Sequence, residues 1–301
     1  VRAAAELARR DLGRVLGRPP AFADVDVDVA IGPRAVPGAV SFLTGLGGEA
    51  AGEDDLVVST LPSPELRAQG VADVIAGDRV ASVAVLGGDG AALGDAGLEV
   101  VPVTTAGEVA AAEPEAVVLA DPDAAAEQLV DLIDAGYSPG DHRFYLVTER
   151  ADAALGLAIG DRPGVLEGVS VIQPGAEVDE ELRLELLEVD RTLDDLVGIP
   201  EAHDAVVIAA LAAEAAGTDD PEHLAAELVG VTRGRATCTS FRECRELLAG
   251  GADIAYVGLG GGYELGDDGT PTRSVFTVLQ YGADNLLDGN RSEFVVATLE
   301  G

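Results

Sequence analysis

The chain has 301 residues, and its 54 acidic against 19 basic residues give a net charge of −35 at pH 7. This excess excludes nucleic acid as a partner, because binding to phosphates requires clustered Lys and Arg, and here every basic residue is arginine. Hydrophobic residues still make up 48% of the chain, so the composition indicates a folded protein with an acidic surface, typical of a halophile, whose molar salt screens repulsion between carboxylates.

Short valine-rich runs alternate with helix patterns along the chain, and this alternation predicts an α/β fold with mainly parallel sheets flanked by helices. No apolar run approaches the ~20 residues that span a bilayer. The predicted strands are Val25–Ile31, Ala39–Phe42, Leu56–Ser59, Val80–Leu86, Glu99–Val103, Ala116–Leu119, Phe144–Val147 and Gly168–Ile172. The predicted helices are Ala3–Leu16, Ser63–Ala76, Ala124–Ala135, Asp179–Leu187, Ala202–Ala216, Pro221–Val229 and Ser240–Ala249.

The last third of the chain carries an ordered series of segments. An alanine-rich helix pattern from His203 is followed by a second helix pattern, a pair of cysteines, a glycine-rich turn and the strand Ser274–Gln280. Further upstream, Leu56–Gly70 reads as a strand, a turn and a helix, and Glu113–Leu119 as a buried strand. In this order the segments resemble the branched-chain amino-acid class of ABC-transporter solute-binding proteins, which have the type I periplasmic-binding fold.

The resemblance implies a two-lobed protein that closes by a hinge on a small zwitterion such as an amino acid and delivers it to an ABC permease. Lobe one is expected to hold residues 1–77 and 202–250, and lobe two residues 78–201 and 251–285, with 286–301 as a C-terminal segment. No cofactor or metal is expected. The resemblance implies an extracellular location, with a lipid anchor that holds the protein at the outer face of the cell membrane. The segment that carries this anchor is not among the 301 residues. The sequence makes no prediction of oligomeric state.

Ligand-binding candidates come from the ends of strands, where open α/β sheets bind their ligands. Ser41 and Thr44 resemble the family's loop that holds an amino-acid carboxylate with hydroxyl and backbone N–H groups. Glu149 resembles the acidic residue that binds the ligand's ammonium group, although a solvated surface carboxylate is the alternative. Asp121 follows the strand Ala116–Leu119, where capping of the next helix is its other interpretation.

The shortened parts of the chain favour an alternative function. After the strand Val80–Leu86 the family has a long helix, whereas Gly90–Ala96 allows barely two turns. A relative with a reduced pocket, serving a structural or protein-interaction role, would fit this pattern. An enzyme is not predicted, because the sequence contains neither a Gly-x-Ser-x-Gly elbow nor a His-Glu-x-x-His motif.

Cys238 and Cys244 are the only cysteines. Their spacing is neither that of a Cys-x-x-Cys redox motif nor, with two thiols alone, that of a zinc site. Each is the other's only intramolecular partner, so the sequence favours a local disulfide at the start of a helix over two free thiols.

Overall fold

The computed structural model describes residues 2–21, 29–32, 39–43, 57–88, 90–149, 151, 154–159, 162–176, 178–193, 196 and 198–299. Thr44 and the beginning of the predicted strand Val25–Ile31 lie outside the described residues. The helices are α1 (Arg2–Leu12), α2 (Pro64–Gly77), α3 (Ala91–Asp95), α4 (Ala106–Ala112), α5 (Ala125–Asp134), α6 (Ala154–Ile159), α7 (Glu180–Val189), α8 (Ile199–Ala216), α9 (Pro221–Leu228), α10 (Gly230–Arg233) and α11 (Phe241–Ala249). The strands are β1 (Val29–Gly32), β2 (Val40–Leu43), β3 (Val57–Ser59), β4 (Ser82–Leu86), β5 (Glu99–Val101), β6 (Ala116–Leu119), β7 (Arg143–Val147), β8 (Ser170–Pro174), β9 (Ala236–Cys238), β10 (Ile254–Gly258), β11 (Gly261–Gly262), β12 (Arg273–Tyr281) and β13 (Leu287–Thr298).

The chain divides into two compact units, each assembled from separate stretches of sequence. Unit 1 comprises Val1–Ser63, Gly175–Ser274 and Leu299–Gly301. Unit 2 comprises Pro64–Pro174 and Val275–Thr298. Both units have the predicted character, in which parallel pairing dominates the sheets and helices flank them.

Unit 1 contains two small sheets around a buried helix. β1, β2 and β3 pair in parallel in that order, while β10 pairs in parallel with β9 and antiparallel with β11. The helix α8 is apolar on nearly every side, so it is buried along most of its length rather than on one stripe. Its side chains Val207, Ile208 and Leu211 belong to the main core of this unit, together with Phe42 and Tyr256.

Unit 2 is built on one sheet with the strand order β13-β12-β8-β7-β6-β4-β5. Pairing from β5 to β8 is parallel, and β12 joins β8 in the antiparallel direction. The four central parallel strands are Val- and Leu-rich and buried, as expected where helices cover a sheet on both faces. Because neighbouring parallel strands end at the same edge, this topology gathers the residues after β6, β7 and β8 at one place.

The unit boundaries differ from the predicted lobe boundaries. The helix α2 was expected in lobe one but belongs to unit 2, because it packs against α3 and β13. Residues 175–201 fall in unit 1, since Leu182 and Leu186 bury against the side of α1 that carries Ala4 and Leu7. Residues 251–274 also fall in unit 1, where β10 pairs with β9. β13, within the predicted C-terminal segment, is part of the sheet of unit 2.

The predicted disulfide is confirmed. Cys238 ends β9, Cys244 lies in the first turns of α11, and their Cα atoms are 5.3 Å apart. Ser240 caps the helix between them by accepting a hydrogen bond from the backbone N–H of Glu243. Both cysteines are buried in the core of unit 1, so the bridge fastens the entry of α11 to the strand before it.

Candidate ligand-binding site

A cavity of about 270 Å³ lies at the carboxyl edge of the sheet of unit 2. It is open where β6, β7 and β8 end, which is the edge at which α/β sheets bind ligands. Its volume is below the ~300–1,000 Å³ typical of drug-sized sites, so the space suits a small molecule. The lining residues, all within unit 2, are Arg67, Val71, Ala120, Pro122, Val147, Thr148, Glu149, Ile172, Pro174 and Phe276.

Two charged side chains face each other in this cavity. Arg67, from the first turn of α2, forms an ion pair with Glu149, which follows β7. Both side chains are about two-thirds buried, with exposures of 33% and 35%. Burial lowers the pKa of Arg67 below its ordinary value, because removing water disfavours the charged guanidinium. The second oxygen of Glu149, Oε2, is buried and has no hydrogen-bond partner among the described residues.

The rest of the cavity wall is mostly apolar. Phe276 from β12 is 1% exposed, and its ring rests on the backbone of α2 at Gly70, where an added Cβ would overlap the ring. Val71 lies one helical turn after Arg67, so the same face of α2 supplies both the cation and part of the apolar wall. The site therefore combines one positive group, one negative group and an apolar surface.

A larger groove of about 430 Å³ lies at the opposite, amino edge of the same sheet. It runs beside the start of β7 and contains the exposed ion pair between Arg143 and Asp78, whose atoms are 3.1 Å apart. Its lining is predominantly charged or polar, and it has no apolar wall comparable to that formed by Phe276. Ligand pockets are predominantly apolar with a few polar groups, so the smaller cavity is the better candidate.

Of the residues predicted from the sequence, the structure places Glu149 in the cavity. Asp121 lies beside it but outside the lining: its Oδ1 accepts hydrogen bonds from the backbone N–H groups of Asp123, at 3.0 Å, and Ala124, at 3.3 Å. Asp121 thus closes the turn before α5, whose N-cap residue Ala124 has no side-chain capping hydrogen bond. Ser41 belongs to unit 1, where it is 1% exposed and lies within β2 rather than in the loop after it.

Arg67 and Phe276 were missed in the sequence. Arg67 is the only basic residue of α2. A single arginine four residues before a buried valine on the same helical face could have indicated that this face of the helix borders a ligand site. The sequence predicts Phe276 within the strand Ser274–Gln280, but no residue adjacent to it in the sequence indicates that its ring contacts α2. That contact joins residues more than two hundred positions apart, which a local pattern does not reveal.

Unit 1 contains a separate polar cluster centred on Asp204, which is fully buried. Its Oδ2 accepts hydrogen bonds from the backbone N–H of Gly260, at 2.6 Å, and the hydroxyl of Tyr263, at 2.9 Å. Its Oδ1 accepts from the hydroxyl of Tyr256 and the N–H of Leu259, both at 3.0 Å. Burial, followed by the charge of Asp204, raises the pKa of both tyrosines well above the ordinary value.

The glycine-rich run Gly258–Gly262 lies against this carboxylate, to which the backbone N–H groups of Leu259 and Gly260 donate. A Cβ at Gly258 would overlap the carboxylate of Asp204, and one at Gly260 would overlap the hydroxyl of Tyr263. Glycine is therefore required here for close approach of the backbone to an anion. The anion is the protein's own side chain, so the loop organises unit 1 and does not itself form a ligand site.

Two further titratable groups flank Asp204. The ring of His203 has Nδ1 3.1 Å from Asp204 and Nε2 3.2 Å from Asp11. Burial alone would lower the pKa of His203, but hydrogen bonds to these two carboxylates outweigh it and raise the pKa to about 9. Burial raises the pKa of Glu201 to about 7, and its Oε2 has no hydrogen-bond partner among the described residues.

Within the described ranges, no group of three or more His, Cys, Asp or Glu side chains could hold a metal ion. None of the helices there is long and apolar enough to cross a membrane.

Solved structures of other proteins have the same fold. A branched-chain amino acid ABC transporter periplasmic ligand-binding protein from Burkholderia xenovorans matches with a TM-score of 0.66 at 13% identity, over 98% of this chain and 89% of that chain. An ABC transporter substrate-binding protein from Desulfitobacterium hafniense, in complex with leucine, matches with a TM-score of 0.63 at 15% identity, over 98% and 95% of the two chains. An ABC transporter solute-binding protein from Rhodopseudomonas palustris, in complex with benzoate, matches with a TM-score of 0.56 at 13% identity, over 100% and 92%.

These matches span almost the full length of both chains in each pair, so the chain has the type I periplasmic-binding fold. The expected fold class is therefore confirmed, and the structural neighbours are the class of proteins that the sequence resembles. No protein-family model matches the sequence, and no curated protein matches it either.

Proposed function

We propose that this protein is a solute-binding protein that captures a small, zwitterionic, amino-acid-like ligand and delivers it to an ABC permease. The observation that carries the proposal is the cavity of unit 2, in which Arg67 and Glu149 stand against an apolar wall at the ligand-binding edge of the sheet. The ligand's carboxylate would pair with Arg67 and its ammonium group with Glu149, while an apolar side chain would contact Phe276. Arginine suits the first role because its planar guanidinium can bind a carboxylate through two hydrogen bonds.

The structural neighbours support this proposal. They are solute-binding proteins of ABC transporters, one of them bound to leucine and another to benzoate. Both ligands carry one carboxylate on an apolar body, which is the chemistry that Arg67 and the wall around Phe276 would recognise. The same neighbours support a non-enzymatic role, in which the protein binds its ligand without changing it.

We propose an extracellular location, with the chain held at the outer face of the membrane by a lipid anchor. The disulfide between Cys238 and Cys244 supports it, because disulfides persist in oxidising surroundings outside the cell. The acidic surface supports a halophilic source, in which molar salt screens the repulsion among carboxylates.

The alternative is a relative with a reduced pocket that serves a structural or protein-interaction role. The helix α3 is the observation that favours it: Ala91–Asp95 makes little more than one turn beside the edge where the cavity lies. Such a protein would keep the fold and bind no solute.

Thermal unfolding in molar KCl with each of the twenty standard amino acids separates the two functions. A ligand present at 100 times its Kd stabilises the folded protein by about 2.7 kcal/mol. We expect at least one amino acid to raise the Tm of the wild type and to leave that of Arg67→Gln unchanged. The matched control, Arg143→Gln at the amino edge of the sheet, should respond as the wild type does. Lack of stabilisation by any amino acid would reject the proposal in favour of the alternative.

A further inference from the structure

The strand β13 (Leu287–Thr298) lies at one end of the seven-stranded sheet of unit 2. Within the described ranges of the chain, no strand pairs with its outer edge. We infer that a second copy of this chain occupies that edge with its own β13, antiparallel and about a two-fold axis at Ser292, so that the two sheets join into one. The residues that line the candidate cavity belong to other elements, so this inference does not depend on the proposed function.

The backbone of β13 supplies the first argument. An edge strand presents a row of unpaired N–H and C=O groups, which is a template for a strand of another chain. With 12 residues, β13 is long enough for a continuous ladder of hydrogen bonds, and such a ladder is the source of affinity when one strand adds to another. Many proteins protect an edge with proline or with charges that repel a copy. β13 contains no proline, and the two charges at its centre are of opposite sign.

These two charges are self-complementary. Arg291 and Glu293 stand on either side of Ser292 and are exposed, and neither forms an ion pair within the part of the chain that the structure describes. An antiparallel pair centred on Ser292 places Arg291 of each copy opposite the partner's Glu293, where Cβ atoms lie about 4.5–5.5 Å apart. A parallel pair in the same register would instead place each charge beside its like, which is destabilising. The charges therefore specify the antiparallel arrangement.

The exposed apolar residues at this edge fit the same register. Leu286, immediately before the strand, is 54% exposed, while Phe294 and Val296 are 43% and 44% exposed. Ala297 is fully buried, and because side chains alternate along a strand, Phe294 and Val296 share the opposite, uncovered face. About the same two-fold axis, Leu286 of one copy lies diagonal to Val296 of the other, within reach of contact between long side chains. The pairing thus covers apolar surface at both ends of the ladder.

The net charge of the chain sets the conditions under which the dimer is expected. Two chains that each carry a net charge of −35 repel one another at a distance. In molar salt the Debye length is ~3 Å, so this repulsion is screened, whereas groups in direct contact are screened much less. The dimer is therefore expected in molar KCl.

Sedimentation equilibrium in molar KCl, from micromolar to millimolar protein, tests the inference. We expect the wild type to be dimeric at the upper end of this range. Arg291→Glu and Glu293→Arg should each weaken self-association by about tenfold or more, because both cross-strand pairs become repulsive. An equimolar mixture of these two variants should form a heterodimer as readily as the wild type forms its dimer, because every opposed pair is then of opposite charge. The matched control, Arg183→Glu, changes an exposed arginine of α7 in unit 1 and should leave self-association unchanged.

Hydrogen exchange provides a second measurement. The peptide that spans residues 287–298 should exchange more slowly at millimolar than at micromolar protein, because the amide groups of the outer edge are then paired. Circular dichroism verifies that each variant is folded before its association is measured. A wild type that stays monomeric at millimolar concentration would overturn the inference and leave the edge to a strand of another protein. Dimers that persist in folded Arg291→Glu would place the interface elsewhere, and a mixture that fails to associate would reject the antiparallel pairing.

Discussion

Replacement of Asp204 by asparagine tests the polar centre of unit 1. The amide group would replace one acceptor oxygen with a donor, and the least costly orientation places the nitrogen at Oδ2. There it would face the N–H of Gly260, 2.6 Å away, and the hydroxyl of Tyr263, 2.9 Å away. A buried donor left without an acceptor costs about 1–3 kcal/mol, so the two together cost roughly 2–6 kcal/mol. The variant also removes one of the two carboxylates that contact His203, the other being that of Asp11.

We therefore expect Asp204→Asn to lower the free energy of unfolding by about 4 kcal/mol, a large share of the ~5–15 kcal/mol typical of a folded protein. Urea unfolding in molar KCl measures the total loss in the free energy of unfolding. Hydrogen exchange measured on peptides locates the loss, which should fall on residues 254–266 and spare β6 and β7 of unit 2. The control Asp267→Asn changes a carboxylate that is 95% exposed and paired with Arg233, and should cost less than ~1 kcal/mol. An equally small loss in Asp204→Asn would refute the reasoning.

Three further predictions concern pH, the disulfide and salt. The pKa of Glu201 in the folded protein is about 7 against an ordinary 4.5, so its contribution to stability is most favourable below pH 4.5 and falls by about 3 kcal/mol as the pH rises to 7. In urea unfolding, Glu201→Gln should therefore gain stability relative to the wild type between pH 5 and pH 8. A difference between the two proteins that stays constant with pH would contradict the assigned pKa. Replacement of Cys238 and Cys244 by serine should lower stability by ~2 kcal/mol because the closed loop is short, and reductant should lower the Tm of the wild type but not of this variant. Below about 1 M salt the protein should unfold as the Debye length grows from ~3 Å towards ~10 Å at 0.1 M; native circular dichroism in dilute buffer would be evidence against the halophile assignment.

Local patterns predicted most of the elements, and the errors have identifiable physical causes. β6 was predicted at its observed bounds, because an apolar run between Pro114 and Asp121 leaves little choice. The first helix was predicted to reach Leu16 but ends at Leu12, since Gly13 adopts a φ of 59° and stops it. The end of this helix depends on the backbone conformation of Gly13, which the hydrophobic pattern does not encode.

The site was predictable only in part. Glu149 could be proposed because it lies two residues after a strand that ends at the ligand-binding edge. Arg67 and Phe276 reach the same cavity from a helix and from a strand far away in the chain, and only the fold brings them together. The boundaries of the two units differ from those of the predicted lobes for a similar reason. The chain passes from unit 1 to unit 2 after Ser274, inside β12, where no break in the sequence pattern marks the boundary.

The interleaving of the two units in the sequence has a consequence for biosynthesis. The sheet of unit 2 requires β12 and β13, which end at Thr298, and unit 1 requires segments on both sides of unit 2 in the chain. Neither unit can therefore complete its fold until nearly the whole chain has been synthesised. Until then β8 lacks its neighbour β12, and an unpaired strand edge is prone to aggregate.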